Sequence, residues 1–151
     1  MSCNDVIENR EKLFLWFTCM FGSHQDYLDD GISYFISKKI DDLEKFCRDG
    51  SAIAIGAYEQ RVLCAFLWGY KYCFNGHDRI HITKLYVDET FRKKGIATSL
   101  IEFVEVLAMD QGVSEIDLNV NVRNSHAFEL YKKSGFLEES VHMVKSVNLG
   151  S

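Results

Sequence analysis

The stretch "LYVDETFRKKGIATSLIEFVEVLAMDQG", residues 85–112, limits what this chain can fold into more than any other. An apolar segment ending at Leu85, Tyr86 and Val87 leads to three consecutive basic residues, Arg92, Lys93 and Lys94, and then to Gly95-Ile96-Ala97. From there Ile96, Leu100, Phe103, Val104, Leu107 and Ala108 recur at the spacing of one helical face, and Gly112 supplies the stop. The pattern predicts a strand, a basic loop and a helix start. The first turn of a helix has N–H groups without acceptors and a partial positive charge, so it draws phosphate oxygens. Gly95 and Ala97 leave that backbone open to close approach, with the hydroxyls of Thr98 and Ser99 beside it. A solvated loop that merely caps the helix fits the same residues. The stretch has neither the Lys-Ser/Thr ending of a Walker loop nor a GxGxxG run.

Periodicity organises the rest. Residues 5–21 read as one helix ended near Gly22. Residues 25–48 read as a second helical region, with Tyr27, Leu28, Ile32, Phe35, Ile36, Ile40, Leu43 and Phe46 at mostly three- and four-residue spacings and a candidate break at Gly31. The apolar runs 51–58 and 61–74, separated by Glu59-Gln60, suggest two antiparallel strands, and Asn75-Gly76 is a hairpin signal leading to a third strand at 79–87. Residues 114–122 alternate, with Ile116, Leu118, Val120 and Val122 on one face, as a strand does. Asn124-Ser125 is an N-cap pair for a short helix presenting Ala127, Leu130, Tyr131 and Ser134, closed by Gly135, and "GFLEESVHMVKSV" reads as a final strand. The order implies a single α/β (α+β) domain over 1–151 with a mixed sheet.

Charge and cysteine usage exclude several classes. The net charge of −5 opposes a general polyanion binder, and three basic residues on an acidic chain neutralise too few phosphates for a nucleic-acid role. Five cysteines without a CxxC pair argue against a metal site and a disulfide framework, which points to a reducing, cytoplasmic setting. The apolar run 13–21 is too short to span a bilayer and follows an acidic, polar start, so neither a membrane segment nor a signal peptide is expected.

Two motifs resemble those of the GNAT superfamily of acyl-CoA-dependent N-acetyltransferases. Arg92, Gly95 and Ala97 fill the family's R/Q-x-x-G-x-G/A pyrophosphate motif. Asn124, Ala127, Leu130, Tyr131, Lys133, Gly135 and Phe136 fill N-x-x-A-x-x-L-Y-x-K-x-G-F. The resemblance implies a mostly antiparallel central sheet flanked by about four helices, with acetyl-CoA as co-substrate. It implies that backbone groups of Leu85, Tyr86 and Val87 pair with the pantetheine arm. The loop and helix start formed by Arg92, Lys93, Lys94, Gly95, Ile96, Ala97 and Thr98 would hold the pyrophosphate. Asn124 and Ala127 would meet the pantetheine chain, and Tyr131 would protonate the leaving thiolate. A phenol of pKa near 10 suits a thiolate of similar basicity.

The family pattern fails at two places. Many members carry a glutamate where this chain has Thr83, so the base is not assigned by resemblance. By period-two alternation His81 and Thr83 share the face of Leu85, and His81 is the candidate base; loss of the amine proton to solvent before binding is the alternative. Asp117, Asn119 and Asn121 share a face of the next strand and are candidates for positioning water, or a plain solvated face. The strand that commonly opens the family fold is short or missing, and the C-terminal strand leaves an open edge, which suggests a homodimer through that region. The expected acceptor is the primary amine of a small molecule such as a polyamine, aminoglycoside or amino sugar. Its pocket would come from 5–48 and 70–78, with Trp16, Phe17, Tyr27, Tyr34, Tyr70 and Tyr72 as candidate lining. Acetylation of a protein lysine or N-terminus, and a non-catalytic acyl-CoA sensor, are the competing readings.

Overall fold

The computed structural model describes residues 1–21 and 30–147. They fall into two compact units, Met1–Asn119 and Val120–Ser151. In the first, α1 (Cys3–Glu8) and α2 (Arg10–Phe21) replace the single helix expected over 5–21. Ser2 begins α1 with a capping box: its hydroxyl accepts from the Asp5 N–H, and the Asp5 carboxylate accepts from the Ser2 N–H. Asn9 ends it, donating both its backbone N–H and its side-chain amide to the Asp5 carbonyl. That local bond competes with the helical ladder and separates the two segments. Helix α3 (Asp30–Asp49) runs through Gly31 without a break. The expectations for Gly22 and for the start of this helix at 25–29 lie outside the described residues.

Four strands follow in the order β1-β2-β3-β4: β1 (Ala52–Glu59), β2 (Val62–Phe74), β3 (His77–Val87) and β4 (Glu115–Leu118). The first three are antiparallel, and β4 runs parallel to β3. Both hairpins turn on two residues of positive φ, Gln60-Arg61 and Asn75-Gly76, whose twist matches that of the flanking strands. On one face Phe66 and Trp68 pack with Val6, Leu13, Trp16, Phe17, Ile36, Ile40 and Leu43 in one buried cluster. Trp16 stacks near-parallel on Phe66 at 5.9 Å, and Phe17 meets the same ring edge-on at 5.6 Å. On the other face α4 (Ile96–Asp110) covers the sheet with Leu100, Ile101, Val104 and Ala108. The buried stripe is rotated from the expected one, because Phe103 stands 56% exposed while Ile101 is buried.

The register of β2 against β3 contains one irregularity. Leu67 pairs with Leu85 and Trp68 with Lys84, but Gly69 pairs with Ile82, so Thr83 is an extra, unpaired residue. Side chains before and after a bulge fall out of step. Tyr86 lies against Trp16 at 5.2 Å and Lys84 sits over Phe21, whereas His81, paired with Tyr70, meets that ring at 5.3 Å. His81 therefore shares the face of Tyr86 and Lys84, opposite to Leu85, which corrects the strict alternation expected across Thr83. The bulge also needs Gly69, since a Cβ there would overlap the His81 carbonyl oxygen.

In the second unit α5 (Ser125–Lys133) is present as expected, but residues 137–147 form no strand. A strand needs the backbone of a neighbour, and none pairs with this segment among the described residues. Leu137, Val141, Met143, Val144 and Val147 accordingly stand 73–87% exposed. Likewise β4 stops at Leu118, four residues short of the expected 114–122, and Val122 is exposed.

Gly69→Ala should destabilise the fold by about 1–3 kcal/mol, because the backbones of β2 and β3 must separate to admit the methyl group. Urea unfolding followed by circular dichroism reads this directly, and an unchanged midpoint would contradict the bulge geometry.

Candidate functional site

The ladder between β3 and β4 ends at Ile82↔Leu118, whereas β3 continues to Val87. From Thr83 onward β3 thus has β2 on one side and, among the described residues, no strand on the other. Leu85, Tyr86 and Val87, the expected partners of an extended ligand, lie on this stretch. The Thr83 hydroxyl oxygen is buried at the bulge with no hydrogen-bond partner among the described residues.

After Val87 the chain is tied down before it reaches α4. The Asp88 N–H donates to the Cys64 carbonyl at 2.9 Å, and the Asp88 carboxylate accepts from the Thr90 N–H and hydroxyl. The Thr90 hydroxyl holds the Asp88 carboxyl below the usual carboxylate range. A single 3-10 turn (Glu89–Phe91) follows. Arg92 donates from Nε to the Val87 carbonyl at 3.0 Å, lies over the Tyr86 ring and reaches within 3.6 Å of Glu89. Its first role is to fasten the loop to the strand it leaves. Lys94 sits 3.6 Å from Glu59 and over Phe91, while Lys93, at φ +62°, makes no ion pair among the described residues.

Gly95 then turns the chain into α4 with φ +78° and no side-chain cap. The first N–H bonded within the helix is that of Ser99, to the Gly95 carbonyl at 3.0 Å. The N–H groups of Ile96, Ala97 and Thr98 have no acceptor among the described residues, and the first turn holds no acidic side chain. The space beside Gly95 is open, with no atom within 4 Å of where a Cβ would stand. Unsatisfied donors, a helix dipole and the absence of a competing carboxylate suit a phosphate group.

A second cluster lies on the opposite sheet face, at the last paired rungs of β3 and β4. His81 Nδ1 is 2.5 Å from one Asp117 carboxylate oxygen, and the Tyr72 hydroxyl donates to the other. Arg79 reaches Asp117 at 3.6 Å and bonds Glu115 at 2.5 Å. Asp117 as acceptor, with burial second, pushes the Tyr72 phenol above its ordinary value. Sequence reasoning grouped Asp117 with Asn119 and Asn121 and gave Tyr72 only a lining role; that both converge on His81 depends on strand register, which no local signal carries. Of the expected pocket aromatics, Trp16 and Phe17 are buried in the core and do not line a pocket, because the sheet needs them as its helix-side cover. Tyr34 and Tyr70 are exposed, and Tyr27 lies outside the described residues.

Within the second unit, Asn124 caps α5 by accepting from the Ala127 N–H at 3.3 Å, which leaves its amide N–H groups as the donors still available. The other end closes as a Schellman motif. Gly135, at φ +88°, donates to the Lys132 carbonyl, and the Phe136 N–H donates to the Tyr131 carbonyl. Phe136 packs edge-on against the Tyr131 ring at 5.7 Å. The spacing Tyr-x-Lys-x-Gly-Phe is thus the wiring of a helix cap that holds the tyrosine ring. The Tyr131 hydroxyl makes no hydrogen bond among the described residues, and burial raises its pKa, so it keeps its proton. A spectrophotometric titration of the wild type minus Tyr131→Phe should show one phenol ionising above about pH 10; ionisation below that value would contradict the burial.

Comparison with known proteins follows the same outline. Residues 10–136 match the model of the Acetyltransferase (GNAT) family. An N-acetyltransferase of Methanocaldococcus jannaschii is 40% identical over 60 residues, which are 40% of this chain and 26% of that protein. The chain thus spans about a quarter of that relative's length. Among solved structures, an aminoglycoside acetyltransferase from an uncultured soil metagenomic sample aligns with a TM-score of 0.72 at 24% identity, covering 98% of this chain and 95% of that one. The PaiA N-acetyltransferase of Thermoplasma acidophilum, in complex with coenzyme A, gives 0.74 at 20% identity, covering 94% and 89%. The ribosomal-protein-alanine N-acetyltransferase of Brucella melitensis biovar Abortus 2308 gives 0.69 at 18%, covering 97% and 96%. The strand-loop-helix at 77–110 and the capped tyrosine helix at 125–133 both lie within the matched residues, and the chain belongs to the acetyltransferase (GNAT) family.

Proposed function

We propose that this protein moves an acetyl group from acetyl-CoA to the primary amine of a small molecule by direct attack. The observation that carries the reading is the sequence of unpaired groups along one path. At 83–87 the edge of β3 away from β2 has no strand partner among the described residues, and it leads into three N–H groups without acceptors there, at Ile96, Ala97 and Thr98. Family membership and a coenzyme A complex of a protein of the same fold support acetyl-CoA as the co-substrate. That group supplies the acetyl as a thioester, which is activated toward amines.

The roles of this chain's residues follow from their chemistry. Amides 96–98 hold the diphosphate, with Lys93 adding long-range attraction. Backbone groups of Leu85, Tyr86 and Val87 accept the extended arm as an added strand, the Asn124 amide donates to it, and the small Ala127 leaves it room. His81 receives the proton that the amine loses as the new C–N bond forms. Tyr131 gives its proton to the sulfur as the C–S bond breaks, so the products are an amide and a free thiol. Solvent then restores the proton to Tyr131 and removes one from His81.

Tyr70, Tyr72 and Phe74 form an aromatic row along β2, their successive ring centroids 5.9 and 6.4 Å apart, beside the carboxylates of Asp117 and Glu115. Arg79 already covers Phe74 and reaches both carboxylates, while the exposed Tyr70 ring offers an aromatic face to a protonated amine, which supports a small cationic acceptor. The aminoglycoside acetyltransferase of the same fold supports that class, and the ribosomal-protein enzyme of the same fold favours a protein acceptor as the second reading. An amine-panel assay following free coenzyme A thiol tests the proposal, with a cell lysate as the protein arm. Release with a small amine and none with lysate protein is expected; binding of coenzyme A with no release in either arm would sink it. Tyr131→Phe should lower kcat roughly ten- to a thousandfold and leave coenzyme A affinity unchanged. An unchanged rate would remove Tyr131 as the acid.

The exposed apolar side chains of 137–147 support a homodimer formed when a neighbouring copy supplies the missing strand partner. Light scattering at micromolar concentration should give twice the chain mass of 17.4 kDa, and Val141→Asp with Val144→Asp should return it to the single value.

A further inference from the structure

Resting on that reading, we propose that Asp117 is the positioning residue for His81, fixing its tautomer so that Nε2 stands ready to take the amine proton. A neutral imidazole carries one proton, and the neighbouring acceptor decides which nitrogen holds it. Asp117 places a carboxylate oxygen 2.5 Å from Nδ1, which selects Nδ1–H and leaves the Nε2 lone pair unused. A base oriented by a third group is the arrangement that makes a side chain effective in proton transfer.

The surroundings hold the pair in one geometry. His81 pairs with Asp117 across the parallel ladder, so the slanted hydrogen bonds between β3 and β4 hold the two residues side by side. The imidazole lies against Tyr70 at 5.3 Å and Tyr72 at 6.4 Å, which limits rotation of the ring. Tyr72 bonds the second Asp117 oxygen, and Arg79 stands 3.6 Å from that same oxygen while binding Glu115. The carboxylate therefore has donors on both oxygens and a cation beside it, contacts that hold it in one orientation against His81. The side chains of His81 and Asp117 are 18% and 24% exposed, so the dyad is shielded from water but reachable.

Location separates this role from a plain structural ion pair. His81 is one rung before Ile82↔Leu118, the last pair that joins β3 to β4, and two residues before the bulge at Thr83. The dyad thus stands at the fork where the strands cease to pair. It also supplies a base in a chain that has Thr83, and no carboxylate, at the bulge. The proton path is short: from the amine to Nε2, with the resulting imidazolium stabilised through Nδ1–H by Asp117, and then to solvent.

The test is nitrogen-15 NMR of the histidine rings together with steady-state kinetics, using His81→Gln to identify the His81 resonances. The neutral wild-type ring should carry its proton on Nδ1 and leave Nε2 bare. Asp117→Asn should redistribute the proton toward Nε2 and lower kcat roughly a hundredfold or more, with amine KM changed less than about threefold. The double variant should be no slower than His81→Gln alone, since residues acting as a unit are not additive. Coenzyme A affinity equal to wild type in each variant confirms an intact fold. Wild-type kcat in Asp117→Asn beside a slow His81→Gln would overturn the positioning role while leaving His81 as base. Wild-type kcat in both would remove His81 itself. The NMR readout needs no acceptor, so an unchanged tautomer in Asp117→Asn overturns the proposal even if no amine substrate is found.

Discussion

The extra residue at Thr83 is the constraint on which the rest of the sheet depends. A β-strand delivers side chains alternately to two faces, and one unpaired residue exchanges the faces from that point on. Leu85 therefore faces α4 while His81, four residues earlier, faces the aromatic side with Tyr70 and Tyr72. Without the bulge His81 would point toward the face covered by α4. The same irregularity ends the partnership with β4, because the ladder stops one residue before it. One local insertion thus aims a titratable side chain and opens a length of backbone. Gly69 is the complementary residue, bare of a side chain where the neighbouring carbonyl comes too close for one.

The remaining energetics serve to hold that irregularity in place. A strained or unpaired backbone persists only when its surroundings are firmly packed. Here the support is the aromatic cluster of Trp16, Phe17, Phe66 and Trp68 on one face and the Leu100, Ile101, Val104, Ala108 stripe on the other. Tyr86 continues the first cluster across the strand, and Arg92 covers it before bonding the Val87 carbonyl. Two of the three basic residues that mark the loop are thereby occupied in fastening it: Arg92 to Val87 and Glu89, Lys94 to Glu59. What the loop leaves unoccupied is chiefly main chain, namely three N–H groups without acceptors among the described residues, in a turn free of acidic side chains.

Several features were legible in the residues themselves, and each has a local cause. Gly95 marks a left-handed entry to α4, Asn75-Gly76 a hairpin, Asn124 a cap and Gly135 a Schellman end, because each demands a backbone conformation or side-chain bond set by neighbours a few positions away. The failures have the opposite character. Residues 137–147 have strand composition and form no strand, since a strand exists only with a partner. The helix expected over 5–21 divides at Asn9, where a side-chain amide bond to Asp5 outcompetes continuity. Trp16 and Phe17, read as candidate lining, are spent on the core.

The sequence by itself determined the order of elements from α3 to α5, the glycine-opened start of α4 and the capped tyrosine helix, because the turns and caps that mark them rest on interactions within a few residues of chain. It also offered His81, by residue type, as the candidate base. Tertiary structure alone decided which face His81 occupies, that Asp117 and Tyr72 meet it, and where the third and fourth strands cease to pair. Those depend on register between segments 36 to 45 residues apart in the chain. Register is set by the packing of whole strands, and no short window of sequence encodes it.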